Sequence, residues 1–207
     1  MTSLFCFALG LPAAWAMATA KKSTRSLLIL GMAIPFLTNL IIRVYAVKIF
    51  LGIDGPFQSF LSFIGMPFDP FALSQNQVVV LYGMVTTYLP FMVFPLYSAL
   101  EKFDFDLVEA ALDLGSSQWH ILPRVLIPNI RSAIANGVIL VFVPCLGEFV
   151  IPDLLGGAKN MLIGNLITEQ FLKSRDWPFG ASLSCILMIF LVIVPFALRR
   201  LIKGAAK

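Results

Sequence analysis

Five long apolar stretches alternate with shorter polar connections along this chain. Each approaches the length of about 20 mostly apolar residues that a helix needs to cross a bilayer. The predicted spans are residues 2–20, 26–47, 74–100, 132–151 and 177–198. Prolines such as Pro90 and Pro144 fall inside these stretches, which predicts a packed bundle because neighbouring helices must satisfy the freed backbone groups. We therefore predict an all-α polytopic membrane helical bundle that forms a single domain over residues 1–207.

Composition supports lipid as the solvent of this bundle. The mean hydropathy is +0.91, and only 13% of residues are charged, whereas a soluble domain carries about 25% charged residues. The net charge of +4 comes from scattered basic residues without an aromatic-interleaved patch, so we expect no nucleic-acid partner. Cys6, Cys145 and Cys185 lie inside apolar stretches without metal-ligand spacing. Neither a catalytic motif nor a metal or cofactor site is predicted, and the chain is not expected to be an enzyme.

The distribution of Lys and Arg predicts the orientation of the spans, because cytoplasmic connections carry the excess of positive charge. One side holds ten basic residues: Lys21, Lys22, Arg25, Lys102, Arg124, Arg131, Arg199, Arg200, Lys203 and Lys207. The other side holds five: Arg43, Lys48, Lys159, Lys173 and Arg175. The first side is therefore predicted to be cytoplasmic, together with the C-terminus. Met1 would then lie on the outer face, and we expect an inward-starting first span to be missing from this chain.

Two outer connections are predicted to contain short helices near the membrane surface. Residues 51–73 mix phenylalanines with glycines and prolines, and a short helix is expected near residues 57–64. A plain loop packed on the bundle is the alternative. In residues 152–178, periodic apolar positions predict a short amphipathic helix. They are Met161, Leu162, Leu166, Ile167 and Phe171.

The most polar connection, residues 101–131, is predicted to be a cytoplasmic loop; we call it the elbow. Asp104 and Asp106 offer N-cap chemistry for a short helix, and Gly115 supplies its C-terminal stop. The apolar positions of that helix are Leu107, Ala110, Ala111 and Leu114. A second short helix is expected to be interrupted by Pro123 and to stop before Pro128.

The elbow resembles the "EAA" signature of the membrane permease subunits of bacterial ABC importers. The resemblance rests on Glu109, Ala110 and Ala111, then Gly115 after three residues, then nine residues and Val125-x-Ile127-Pro128. The family consensus ends in Ile-x-Leu-Pro, so this chain has conservative changes at two positions. The resemblance implies that the elbow is a coupling helix that docks on a separate ATPase. The implied coupling residues are Glu109, Ala110, Ala111, Gly115, Ile127 and Pro128.

Flanking segments such as LGEFVIPDLLGG and RDWPFGAS are similar to the polyamine (spermidine/putrescine) permeases, the first most of all to the putrescine member. The resemblance implies a multi-pass protein of the bacterial inner membrane. Its implied partners are a dimer of ATP-binding cassette subunits, a second permease subunit and a periplasmic or lipid-anchored polyamine-binding protein. The alternatives are a permease for thiamine, iron or sulfate, and a membrane protein that works without an ATPase.

Glu148 is the one carboxylate embedded in a predicted span, near its outer end. Ionisable groups inside a membrane usually face a cavity or a partner, so we expect Glu148 to line the translocation path and meet an ammonium group. Phe149 and Tyr88 are expected to add cation–π contact, and Asp153 to lie at the outer mouth. The alternative is that Glu148 pairs with Arg43 or lies in water at the outer face.

Overall fold

The computed structural model describes residues 1–52, 55–65, 76–156 and 161–204. Within these ranges every regular element is helical, which confirms the predicted fold class. The helices, in chain order, are α1 (Thr2–Thr19), α2 (Lys22–Leu37), α3 (Leu40–Leu51), α4 (Pro56–Phe63), α5 (Gln77–Leu100), α6 (Asp106–Asp113), α7 (Gln118–Ile121), α8 (Ile127–Gly147), α9 (Ile163–Glu169) and α10 (Trp177–Gly204). Single π-helical turns lie at Leu122–Leu126, Pro152–Gly156 and Gln170–Ser174.

Helix α5 is the centre of the bundle, with α1 and α8 packed against it. Its fully buried side chains are Met92, Val93, Leu96 and Leu100. Two glycines let the backbones of α1 and α8 approach Met92. A Cβ added at Gly10 would lie 3.1 Å from Met92 Cγ, and a Cβ added at Gly137 would lie 2.7 Å from Met92 Sδ. Small residues are the usual means by which membrane helices pack closely. Gly137 is therefore a helix-contact residue, whereas its neighbour Asn136 is exposed.

Among the described residues, four helical segments are long and apolar enough to cross a membrane: Thr2–Thr19, Gln77–Leu100, Leu122–Gly147 and Trp177–Ala197. The region of the predicted span at residues 26–47 is divided, because the helix breaks between α2 and α3, which belong to a bent pair. The Thr38 hydroxyl donates to the Pro35 carbonyl (2.6 Å), and Asn39 Oδ1 accepts from the Ile41 N–H (2.8 Å). These side chains end one helix and begin the next. Counting the bent pair as one span gives five.

Among the other spans, the fourth is the one whose helix boundaries differ most clearly from the prediction. We predicted residues 132–151, but α8 begins at Ile127 and ends at Gly147. In the outer connections, α4 coincides with the short helix expected near residues 57–64, and α9 with the amphipathic helix. Residues 66–73 of the first connection lie outside the described ranges. Helix α10 packs on α8 and α9 through a small part of its surface and is otherwise exposed.

Candidate functional site

The first arm of the elbow is α6, and its beginning is fixed by Asp104. The Asp104 carboxylate accepts a hydrogen bond from the Asp106 N–H (3.1 Å), which satisfies one of the free donors at the helix start. Asp106, also predicted as a cap, is instead the first helical residue. Together with Glu109 it places negative charge in the first turn, where the helix dipole favours anions.

The end of α6 is a Schellman motif built on Gly115. The Ser116 N–H donates to the Ala111 carbonyl (3.0 Å), and the Gly115 N–H donates to the Leu112 carbonyl (2.9 Å). Gly115 has a φ of +81°, in the left-handed region that costs other residues about 1–2 kcal/mol. The predicted stop at Gly115 is confirmed, and its physical reason is this backbone conformation.

The elbow presents an apolar surface outward although it is the most polar connection of the chain. Leu114 at its tip is 88% exposed and Leu107 is 47% exposed. Glu109 and Ala110 are also exposed, and Ala111 is half-buried. Exposed apolar side chains gathered on a short helix, with charges beside them, are typical of a surface that binds another protein.

The second arm of the elbow runs without a gap into the fourth span. The predicted stop before Pro128 is wrong, because α7, the turn Leu122–Leu126 and α8 form one continuous helical path. The Ile127 N–H bonds to the Leu122 carbonyl in the wider π pattern. The Asn129 side-chain amide donates to the Val125 carbonyl (2.7 Å). The two prolines lie within this path, and the second arm of the elbow is continuous with α8.

At the opposite end of α8, Glu148 is the centre of a buried polar contact. The helix ends at Gly147, and Glu148 follows in an extended conformation with 8% exposure. Its Oε2 accepts from the Tyr88 hydroxyl (2.5 Å), while Oε1 accepts from the N–H groups of Val150 (2.9 Å) and Ile151 (3.3 Å). The carboxylate therefore caps the next helical turn and joins it to α5.

The segment that begins at Glu148 packs against α5 on one side and against α9 on the other. The turn Pro152–Gly156 packs on α5, where a Cβ added at Gly83 would lie 2.7 Å from Leu155 Cδ1. On the other side, a Cβ added at Gly164 of α9 would lie 2.7 Å from the Glu148 carbonyl oxygen. The Asn165 side-chain amide donates to the Phe149 carbonyl (2.9 Å). Gly164 and Asn165 were not predicted from the sequence, because their contacts join separate elements and follow no local motif.

The structure brings together two of the four residues predicted for the path, Tyr88 and Glu148. Phe149 is exposed and lines a groove of about 370 Å³ between the end of α8, α9 and α10. Asp153 is exposed on the turn that follows. The alternative pairing of Glu148 with Arg43 is not found, since the one ion pair among the described residues joins Arg25 and Glu101.

Arg43 is instead turned towards the backbone of α2. Its guanidinium donates to the Pro35 carbonyl (3.2 Å), which also accepts from the N–H (3.3 Å) and the hydroxyl (2.6 Å) of Thr38 at the end of α2. It also lines an apolar groove of about 650 Å³ formed by α3, α4 and α5. The positive charge thus lies close to the Tyr88 side of α5 without neutralising Glu148.

Comparison with known proteins identifies the family of this chain. The model of the family described as "Binding-protein-dependent transport system inner membrane component" matches residues 7–205. The chain belongs to this family. The permease is therefore a membrane transport subunit and not an enzyme, as predicted.

Two curated relatives show the degree of similarity. The permease is 45% identical over 189 residues to the spermidine/putrescine transport system permease protein PotB of Salmonella typhimurium, covering 91% of this chain and 66% of that protein. It is 28% identical over 128 residues to the spermidine/putrescine transport system permease protein PotC of Escherichia coli. That match covers 62% of this chain and 48% of that protein. The chain thus spans about two thirds of the length of the first relative.

A solved structure shares the fold of the permease. It is the crystal structure of a bacterial ABC transporter involved in the import of the acidic polysaccharide alginate. The TM-score is 0.76 at 17% identity, and the match covers 99% of this chain and 74% of that one. At this identity the likeness concerns the fold, and the cargo must be argued from the side chains.

Proposed function

We propose that this permease forms part of the translocation path for polyamines in an ATP-driven importer of the inner membrane. The observation that carries the coupling part of the proposal is the elbow. Its exposed apolar tip at Leu114 is followed by a turn at residues 114–117, and the second arm after that turn forms a continuous helical path with α8. A docked motor that pushes the elbow would therefore move a membrane-spanning helix directly.

The motor in this proposal is a dimer of ATP-binding cassette subunits that binds the elbow on the cytoplasmic side. Glu109, Ala110, Ala111 and Gly115 form the docking helix, and Ile127 and Pro128 form the junction with α8. The predicted excess of Lys and Arg on the elbow side supports this orientation and a cytoplasmic C-terminus. A second, related permease subunit completes the path, and a polyamine-binding protein delivers the cargo at the outer face.

The cation specificity in this proposal rests on Glu148. A polyamine carries several ammonium groups, and each must find negative charge or water along the path. The Glu148 carboxylate lies inside the bundle, where the Tyr88 hydroxyl donates to it, and it forms no ion pair with Arg43. Its charge can thus attract a cation in the path, while Phe149 and Asp153 lie further along towards the outer mouth. Similarity to spermidine/putrescine permeases supports the same class of cargo, the polyamines.

Reconstitution with candidate partners tests the proposal. The permease, a PotC-like second permease and the ATPase subunit are placed in liposomes, and ATP hydrolysis is measured with and without binding protein. We expect hydrolysis to rise when the binding protein carries a polyamine such as putrescine or spermidine. Stimulation by a binding protein loaded with thiamine, iron or sulfate, but not with a polyamine, would contradict the proposed cargo. Absence of stimulation by every loaded protein would contradict the coupling itself.

A further inference from the structure

Arg25, near the start of α2, joins the ends of two helices at the base of the elbow. Its Nη1 donates to Glu101 Oε1 (2.8 Å), and its Nη2 donates to the Ala18 carbonyl (3.1 Å). The guanidinium carbon lies 6.0 Å from the centroid of the Tyr97 ring. We call these four residues the Arg25 cluster. Glu101 is both the C-cap of α5 and the first residue of the elbow.

The Ala18 carbonyl and the Glu101 carboxylate both favour a positive charge at the position of the Arg25 guanidinium. Ala18 lies in the last turn of α1, whose terminal carbonyls have no partner within the helix. Glu101 stands at the end of α5, where the helix dipole disfavours a carboxylate. A forked guanidinium can satisfy both groups at once, which a lysine ammonium cannot do with the same geometry. The Arg25 side chain is 29% exposed, and its Nε is enclosed by the protein.

An aromatic contact reinforces the cluster one turn away. Trp15 of α1 packs edge-on against Phe105, with the ring centroids 5.4 Å apart, and Phe105 packs in the same way against Phe103. Trp15 also borders a cleft of about 330 Å³ whose other walls are Val108 and Leu112 of α6 and residues of the second arm. The chain leading into α6 is therefore attached to the end of α1 by a charged contact and an aromatic one.

We propose that Arg25 and Glu101 are positioning residues that transmit displacement of the elbow to α1. This inference rests on the proposed function. The elbow is covalently continuous with α5 and α8, whereas the contacts that the described residues show between it and the end of α1 are made by side chains. The Arg25 cluster and the Trp15–Phe105 contact supply that link. A motor acting on α6 then moves three packed helices together, instead of bending the elbow against a stationary α1.

The test compares transport per ATP hydrolysed in the reconstituted complex. Arg25→Gln and Glu101→Gln should each lower this ratio about two- to fivefold, the range that partly exposed ion pairs support. The double variant should be no worse than either single one, because both remove the same contact. Arg25→Lys should be intermediate, since it keeps the charge but loses the fork. Lys22→Gln is the matched control, because it removes one positive charge from an exposed position of the same helix.

The outcomes separate positioning from simple stability. A ratio that equals that of the Lys22→Gln control in both single variants would overturn the inference, even if less complex assembles. A double variant whose loss equals the product of the two single losses would also overturn it, because the residues would then act independently. If the unsubstituted complex shows no stimulation by loaded binding protein, the proposed function has failed instead.

Discussion

Replacing Glu148 by Gln removes a negative charge from the bundle while leaving most of its hydrogen bonds possible. The amide oxygen can still accept from the N–H groups of Val150 and Ile151, and the amide nitrogen can donate to the Tyr88 oxygen. Hydrogen bonds to a charged group contribute about 1 kcal/mol more than neutral ones. Glu148→Gln should therefore lower the stability of the bundle only modestly.

The effect on transport should be larger. In bulk water, a unit charge about 4 Å from an ammonium group has an attractive interaction energy of about 1 kcal/mol. At an effective dielectric constant of about 20, the same interaction at about 5 Å amounts to about 3 kcal/mol. A water-filled path through a protein lies between these limits. Loss of the Glu148 charge should then weaken polyamine recognition in the path about 5- to 200-fold.

The assay is uptake of radiolabelled putrescine by cells that contain the full importer, normalised to the amount of permease in the membrane. Glu148→Gln should raise the KM or lower the rate with nearly unchanged protein, and Tyr88→Phe, which keeps the charge, should have the smaller effect. Glu148→Ala is the contrasting variant: it leaves two backbone donors and the Tyr88 hydroxyl without an acceptor, at about 1–3 kcal/mol each, so less protein should accumulate. Uptake by Glu148→Gln that equals that of the unchanged protein would refute the role in transport and leave Glu148 as a cap.

Glycine substitutions test the geometry of the elbow and of the segment that follows α8. Gly115→Ala forces a Cβ into a left-handed conformation and should lower the unfolding free energy by about 1 kcal/mol; Gly31→Ala, in open space within α2, should leave it unchanged or raise it. Thermal unfolding in detergent measures both, and equal shifts would contradict the strain at Gly115. Gly164→Ala would bring a Cβ to 2.7 Å from the Glu148 carbonyl oxygen and 2.8 Å from that of Gly147. It should therefore displace α9 and lower uptake, and normal uptake with normal stability would show that this packing is dispensable.

The elbow was predictable because its signals are local. Asp104, Gly115 and the prolines act on the backbone within a few residues, so the first helix and its stop could be located from the sequence. The continuation of the second arm into α8 was not predictable by the same rule. Pro128 falls in the first turn of a helix, where a missing N–H is tolerated, and the π-helical turn before it has no clear sequence signature.

The membrane part shows where hydropathy alone is insufficient. An apolar stretch of adequate length predicted a single span at residues 26–47, but Thr38 and Asn39 provide a stop and an N-cap that divide it. Glu148 was recognised as unusual from its apolar surroundings. Its partner Tyr88 is 60 residues away and Arg25 lies 76 residues from Glu101, so these pairings depend on the packed bundle.

Site-specific crosslinking from the elbow tests the coupling claim most directly. A photoreactive phenylalanine analogue is placed at Leu114, which is 88% exposed at the tip of the elbow, and at Leu172, which is 73% exposed beyond α9. After irradiation of membranes that contain the full importer, we expect position 114 to crosslink to the ATPase subunit and position 172 not to do so. Crosslinking to the ATPase from Leu172 but not from Leu114 would contradict the assignment of the elbow as its docking helix.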